Sequence, residues 1–221
     1  MNRPARLARC VQQILATAGH LDIEVIVVID CDVASRDTMI SMHDARLVVL
    51  FNGERRGAIA CWNQGLAAAT GNILVFFNDD CAPEPGWLDA ALEAHQIQLN
   101  GYGLVGFNDG YQDGNRLSVQ YLFDRQFCRD HLGGVMAYPV YQFYCNDTEA
   151  NARAKRAGRF VWCRAAVVQH IHWTRPGQTH KDTLDRENSP KAPRDEALFN
   201  LRRAHGFPNN FDPVLKGERP Q

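Results

Sequence analysis

The feature that most restricts this chain is the alternation of two hydrophobic periods along its first hundred residues. Residues 24–29 (EVIVVI), 46–51 (RLVVLF) and 72–77 (NILVFF) are short, nearly unbroken apolar runs rich in β-branched and aromatic residues. Such runs suit strands covered on both faces, as in a parallel sheet between helices. Helical spacing dominates elsewhere. Leu7, Val11, Ile14, Leu15 and Ala18 form one stripe before Gly19, and Ile59, Trp62 and Leu66 form another before Gly71. Pro83 and Pro85 predict a further helix running to about Leu99, because proline is tolerated in a first helical turn. Strands and helices in this order make βαβ units, so the expected fold is α/β with a mostly parallel sheet flanked by helices.

The second half is less regular. Residues 102–107 and 117–123 predict strands around a turn-rich segment at 108–115. A helix is expected from Asn146 to about Ala157, stopped by Gly158, and then a strand over 159–169 that ends at His170 and His172. Residues 174–195 are polar, with Pro176, Gly177, Pro190 and Pro193, and read as a lid-like loop. A short helix at 197–205 and a tail complete the chain.

Composition excludes several classes. The 24 basic and 25 acidic residues leave a net charge of −1, which gives no footprint for nucleic acid or an anionic membrane. No apolar run approaches the roughly 18 residues of a membrane span. Seven scattered cysteines without a C-x-x-C pair argue against a disulfide scaffold or zinc ribbon and for a reducing compartment. The expectation is a cytoplasmic enzyme.

In open α/β sheets ligands bind beyond the carboxyl ends of the strands. Two acidic clusters fall there: Asp30 and Asp32 after the first strand, and Asn78, Asp79 and Asp80 after the third. A cation such as Mg²⁺ takes one or two protein carboxylates together with substrate phosphates. Asn and Asp also favour loop starts for their own sake.

The stretch RGAIACWNQGL at residues 56–66, followed by AAATGNILVFFNDDCAPEPGWL at 67–88, closely resembles the inverting family 2 glycosyltransferases of the GT-A fold. The likeness extends over about residues 3–173. It implies a Rossmann-like domain over 1–173, with 174–221 as lid-like loop, short helix and tail of the same domain. It implies a nucleotide-diphosphate sugar donor contacted by Arg3, Asp30, Asp32, Arg56, Asn63 and Asp79. Mg²⁺ or Mn²⁺ would be held by Asn78, Asp80 and His170, with His172 a further candidate. In the segment NDTEANARAKRAG at 146–158, Asp147 corresponds to the catalytic base and Glu149 is a second candidate acid. Asn146 and Glu149 also have the spacing of a capping box, which alone would account for an acidic cluster. Trp87 reads most simply as a buried anchor for its helix.

Three departures from the family pattern stand out. Asn78 and Asn146 replace acids, and Trp62 stands where relatives often carry a basic residue. The resemblance also implies a further apolar strand, central in the sheet and ahead of residues 1–4, that the sequence does not contain. A downstream start or a truncated form is expected, and the two flanking strands would then close up or borrow a substitute. Such exposed ladder edges favour pairing, so a homodimer is expected.

The leading functional expectation is inverting sugar transfer to a glycan, lipid-linked or protein hydroxyl. Asp147 would act as base, and the lid with His180, Lys181 and Asp182 would close over the donor. The rivals are a catalytically impaired nucleotide-sugar or glycan binder and, more remotely, a nucleotidyltransferase or metal phosphohydrolase. The donor base, the sugar and the acceptor are not legible.

Overall fold

A computed structural model describes residues 3–111, 117–171 and 183–209. Helix α1 (Pro4–Thr17) opens with a proline in its first turn and buries Cys10, Val11 and Ile14. Then come β1 (Val25–Asp30), α2 (Val33–Ile40) and β2 (Leu47–Asn52). Helix α2 has too weak an apolar stripe to announce itself, with only Ser35 and Met39 buried. It is nonetheless required, because β1 and β2 pair in parallel and parallel neighbours need a crossover. Asp32 caps it, accepting from the Ser35 amide at 3.3 Å and the Ser35 hydroxyl at 2.7 Å.

Next are α3 (Ala58–Ala68), β3 (Ile73–Phe76), β4 (Cys81–Pro83) and α4 (Trp87–Leu99). The expected helix start at Pro83 is corrected here. Pro83 ends a short edge strand, where proline is tolerated, and the helix begins at Trp87 after a left-handed Gly86. Trp87 is buried and its indole N–H donates to Thr17 Oγ1 at 3.0 Å, tying α4 to α1. Strands β5 (Leu104–Asn108) and β6 (Tyr121–Asp124) lead to α5 (Arg125–His131), α6 (Asn146–Arg156) and β7 (Phe160–His170).

The five-stranded sheet has the order β3-β6-β5-β7-β4. Strands β3, β5 and β7 run one way, as expected of a mostly parallel design. The reversed β6 lies between β3 and β5, and the reversed β4 closes the far edge, so three of the ladders are antiparallel. The parallel β1-β2 pair forms a separate sheet. Strands β1 and β3 are not paired with each other among the described residues, and both line a cavity of about 1100 Å³.

The polar segment after residue 182 is more ordered than its composition suggests. It forms α7 (Thr183–Asn188), a 3-10 turn at Ser189–Lys191 and α8 (Ala192–Ala204), which replaces the expected loop through Asp195 and starts earlier than the predicted helix. Asp195 is fully buried and accepts from the amides of Gln142, Phe143 and Tyr144 at 2.8–3.1 Å. Helix α8 is further locked to α6 by Arg202, whose guanidinium donates to Glu149 Oε1 at 2.8 Å and Oε2 at 2.9 Å. Glu149 also accepts from the Tyr141 hydroxyl at 2.7 Å. The capping-box reading is thereby overturned, since Cys145 occupies the cap and Glu149 turns inward. With Glu149 4% and Arg202 3% exposed, removing Arg202 leaves the buried Glu149 carboxylate with the longer 3.7 Å approach of Arg153 Nε as its remaining cation among the described residues. Arg202→Leu is expected to cost about 3–5 kcal/mol in urea unfolding, and a loss under about 1 kcal/mol, the level of a surface pair, would contradict this account.

Candidate functional site

The site begins with a strand register. Strand β4 pairs antiparallel with the end of β7, setting Cys81 opposite His170, and the Ile171 amide donates to the Asp80 carbonyl at 2.8 Å. The turn after β3 thus delivers Asp80 to His170, ninety residues away in sequence, with Nε2 3.1 Å from Oδ1. Arg3 at the start of α1 lies 3.3 Å from Asp79 Oδ1 and 3.9 Å from Asp80 Oδ2, and Arg6 lies 4.0 Å from Asp80 Oδ2. These charges have unequal effects. Burial alone would raise the Asp80 carboxyl, but His170, Arg3 and Arg6 together hold it below the usual range. Burial raises Asp79, with Arg3 pulling against it.

Asp147 comes from the first turn of α6 and lines the same cavity as Asp79, Asp80 and His170. Its Oδ1 accepts from the Thr148 amide at 2.7 Å and the Thr148 hydroxyl at 3.2 Å. Burial nevertheless pushes its carboxyl up, against these hydrogen bonds and the charge of His170. Two further polar groups line this cavity without a hydrogen-bond partner among the described residues. They are Asn146 Oδ1, on a residue 7% exposed, and Asn188 Nδ2, on a residue 2% exposed. Buried polar groups are normally satisfied, so these two mark a place where a ligand can supply the missing bonds.

A family model for glycosyl transferase family 2 matches residues 1–171. The chain belongs to glycosyl transferase family 2. Its fold is shared with solved GT-A glycosyltransferases. The mannosyltransferase PcManGT from Pyrobaculum calidifontis, in complex with GDP-Man and Mn²⁺, is 19% identical, with a TM-score of 0.62 over 94% of this chain and 70% of that one. Glucosyl-3-phosphoglycerate synthase from Mycobacterium tuberculosis, in complex with Mn²⁺, UDP-glucose and phosphoglyceric acid, is 17% identical, with a TM-score of 0.63 over 92% and 77%. The glycosyltransferase AglE of Haloferax volcanii is 36% identical over 62 residues, which are 28% of this chain and 20% of AglE. The chain thus spans about a fifth of the curated relative it matches. No helix among the described residues is long and apolar enough to cross a membrane.

Not every family-matched residue of this glycosyl transferase family 2 chain reaches the cavity. Asp30 lines it, but both carboxylate oxygens accept from backbone, Oδ1 from the Arg56 amide at 2.8 Å and Oδ2 from the Gly57 amide at 2.9 Å. Asp32 also lines it while capping α2. Arg3 and Asn78 line it as well. Arg56, Asn63 and Glu149 are not among its described lining residues. The Arg56 side chain is exposed, and Glu149 is held by Arg202. Asn63 works as a clamp: Oδ1 accepts from the amides of Met136 and Ala137 at 2.9 and 3.0 Å, and Nδ2 donates to the Ala137 carbonyl at 2.8 Å. His172, His180, Lys181 and Asp182 lie outside the described residues.

Sequence reasoning missed Asn188 and Lys191, which α7 and the following turn bring to the cavity, with Lys191 Nζ donating to Asn188 Oδ1 at 2.6 Å. Only the polarity of that segment hinted at them.

A divalent cation fits the Asp80–His170 pair. Asp80 Oδ1 is buried and its near neighbour among the described residues is His170 Nε2 at 3.1 Å, so a cation held between the two would replace that contact. Among the described residues no cluster of three ligating side chains exists, so phosphate oxygens and water would complete the shell.

Because Asn63 bonds backbone rather than ligand, Asn63→Ala is expected to destabilise the chain by about 1–3 kcal/mol in urea unfolding. Its binding of a nucleoside diphosphate with Mn²⁺ should change less than about twofold, which is under 0.5 kcal/mol. An unaltered unfolding midpoint with weakened nucleotide binding would return Asn63 to the donor site.

Proposed function

We propose that this chain transfers a sugar from a nucleotide-diphosphate donor to an acceptor hydroxyl with inversion at the sugar carbon. The observation that carries this reading is the shared cavity of Asp80, His170 and Asp147. Asp80 and His170 would hold Mg²⁺ or Mn²⁺, with Asn78 at the same turn. The cation's chemistry when bound is Lewis-acid stabilisation of the departing diphosphate. The neighbours' complexes with GDP-Man or UDP-glucose and Mn²⁺ support that choice of donor class and metal.

Electrostatics supports an ordered arrival. Arg3 and Arg6 already face Asp79 and Asp80, so a lone dication meets a site whose carboxylates are balanced by two guanidinium groups. A diphosphate brings the negative charge that lets arginines and cation coexist. Asp147 accepts the proton of the attacking hydroxyl. Burial raises its basicity, which suits a general base near neutral pH. A single base and a single displacement give inversion. Asn146 Oδ1 and Asn188 Nδ2, an acceptor and a donor, are matched to sugar hydroxyls.

Two measurements test this reading. Mn²⁺ titrated by calorimetry into the chain with a nucleoside diphosphate present should bind at least about tenfold more tightly than Mn²⁺ alone, a gain of roughly 1.4 kcal/mol. Equal affinities would remove the diphosphate from Asp79 and Asp80. Asp147→Asn should lower kcat about 10²–10⁴-fold while leaving nucleotide affinity unchanged, and surviving turnover would exclude Asp147 as base. The same variant should be more stable than the parent at pH 7 in metal-free buffer, because a carboxyl raised by burial resists ionising in the folded state. The parent's disadvantage builds as pH rises from the unfolded value of about 4 to the raised folded value and is constant above it, and it vanishes below about pH 4, where the carboxyl is protonated folded and unfolded.

A further inference from the structure

Two strands lie on edges away from the cavity, and they are built differently. Strand β4 is three residues long and ends in Pro83, which shortens and blunts its edge. Strand β2 has the sequence LVVLFN, with no proline and no charge, and none of its residues lines the cavity. Among the described strands it pairs with β1 alone. An uncharged apolar edge of this kind is a template for a further strand.

The ladder shows which groups are free. The Val25 amide donates to the Arg46 carbonyl at 2.8 Å, and the Cys31 amide to the Asn52 carbonyl at 2.9 Å. Backbone groups alternate in direction along a strand, so the even-numbered residues of β2 serve β1. Val49 and Phe51 turn their amides and carbonyls to the outer edge.

Symmetry then limits how a second copy could pair there. A two-fold axis maps each opposed pair onto an identical one, while successive antiparallel pairs alternate between bonded and non-bonded kinds. The two residues of a pair must therefore be an even number of positions apart, and the axis must pass through a residue. Three centres keep most of β2 paired, and the flanking charges distinguish them. Centred on Val49, Asp44 stands opposite Glu54 of the second copy, acid against acid. Centred on Phe51, Arg46 stands opposite Arg56. Centred on Leu50, Asp44 meets Arg56 and Arg46 meets Glu54, each twice by symmetry. That centre also sets Val49 opposite Phe51 as bonded pairs, using the outward groups. Glu54 is exposed and has no ion partner among the described residues.

The helix beside this edge agrees. Arg36 of α2 stacks on Phe51 at 4.8 Å, so α2 covers β2. It exposes Val33 (52%) and Ile40 (55%), seven residues apart and so on one side of the helix. The axis puts both copies of α2 on one face of the joined sheet, where these residues add apolar contact.

We propose that two copies of this chain associate through β2, antiparallel and centred on Leu50, to make one sheet continuous across both. The proposal is independent of the transfer reaction.

Sedimentation of the chain at micromolar concentration should give twice 24.9 kDa, falling on dilution. Val49→Pro removes an outward amide but no bond to β1, and should sediment as a folded monomer. Glu54→Lys places like charges at both ends and should weaken the dimer about tenfold. Register is read by oxidation in a Cys31→Ser background, because Cys31 is the exposed thiol. Leu50→Cys should form an intermolecular disulfide, since a non-bonded pair sets its Cα atoms about 4.5 Å apart. Val49→Cys should not. Three results would overturn the proposal. One is a monomer at all concentrations, or open-ended aggregates instead of a dimer. Another is a dimer that neither Val49→Pro nor Glu54→Lys weakens. The third is cross-linking at position 49 and not at position 50.

Discussion

Strand β7 is the element on which the site depends, because it changes partner along its eleven residues. Its first part pairs in parallel with β5, from Phe160 opposite Leu104 to Cys163 opposite Phe107. The register then slips, with Val167 rather than Arg164 facing Asn108. Extra residues on one strand bend it and end the pairing, which frees the last residues of β7 to take β4 as partner. Only that exchange puts Cys81 opposite His170 and carries Asp80 to the imidazole. Without the slip, the carboxylates after β3 and the histidine after β7 would belong to different regions of the surface.

Burial then divides otherwise similar acids. Asp80 and Asp147 share a cavity, but Asp80 is surrounded by His170, Arg3 and Arg6 and held ionised, whereas Asp147, whose close side-chain donor among the described residues is Thr148, is pushed up by burial. Glu149 stands two positions beyond Asp147, about 200° around the helix at 3.6 residues per turn. It therefore faces the core and Arg202 while Asp147 lines the cavity. One helical turn supplies a candidate base and a structural ion pair from neighbouring letters.

This explains which parts were legible in the sequence. The apolar runs that became β1, β2 and β3 announced themselves, and the spacing from the α3 segment through NDD identified the family before any coordinates. Helix α2 stayed hidden because it buries only two residues. Strand β4 was masked by Pro83, which reads as a helix start when nothing reveals the partner strand. Letters fixed positions but not what the side chains bond. Asn63 and Asp30 match the family motif, yet their polar atoms hold backbone, at 136–137 and 56–57. Asn188 lay in a segment whose polarity suggested a loop, and only the fold gives its unpaired amide a direction.

The divided sheet bears on the same chemistry. The carboxyl ends of β1 and β3 carry Asp30 and the Asn78–Asp80 turn, and each strand has a ladder on one side only among the described residues. The two strands and the carboxylate cluster line one continuous cavity. A diphosphate-bound cation spanning that mouth would favour one separation of the two acidic clusters, so whatever holds β1 and β3 at that separation strengthens donor binding by the same factor by which donor strengthens it.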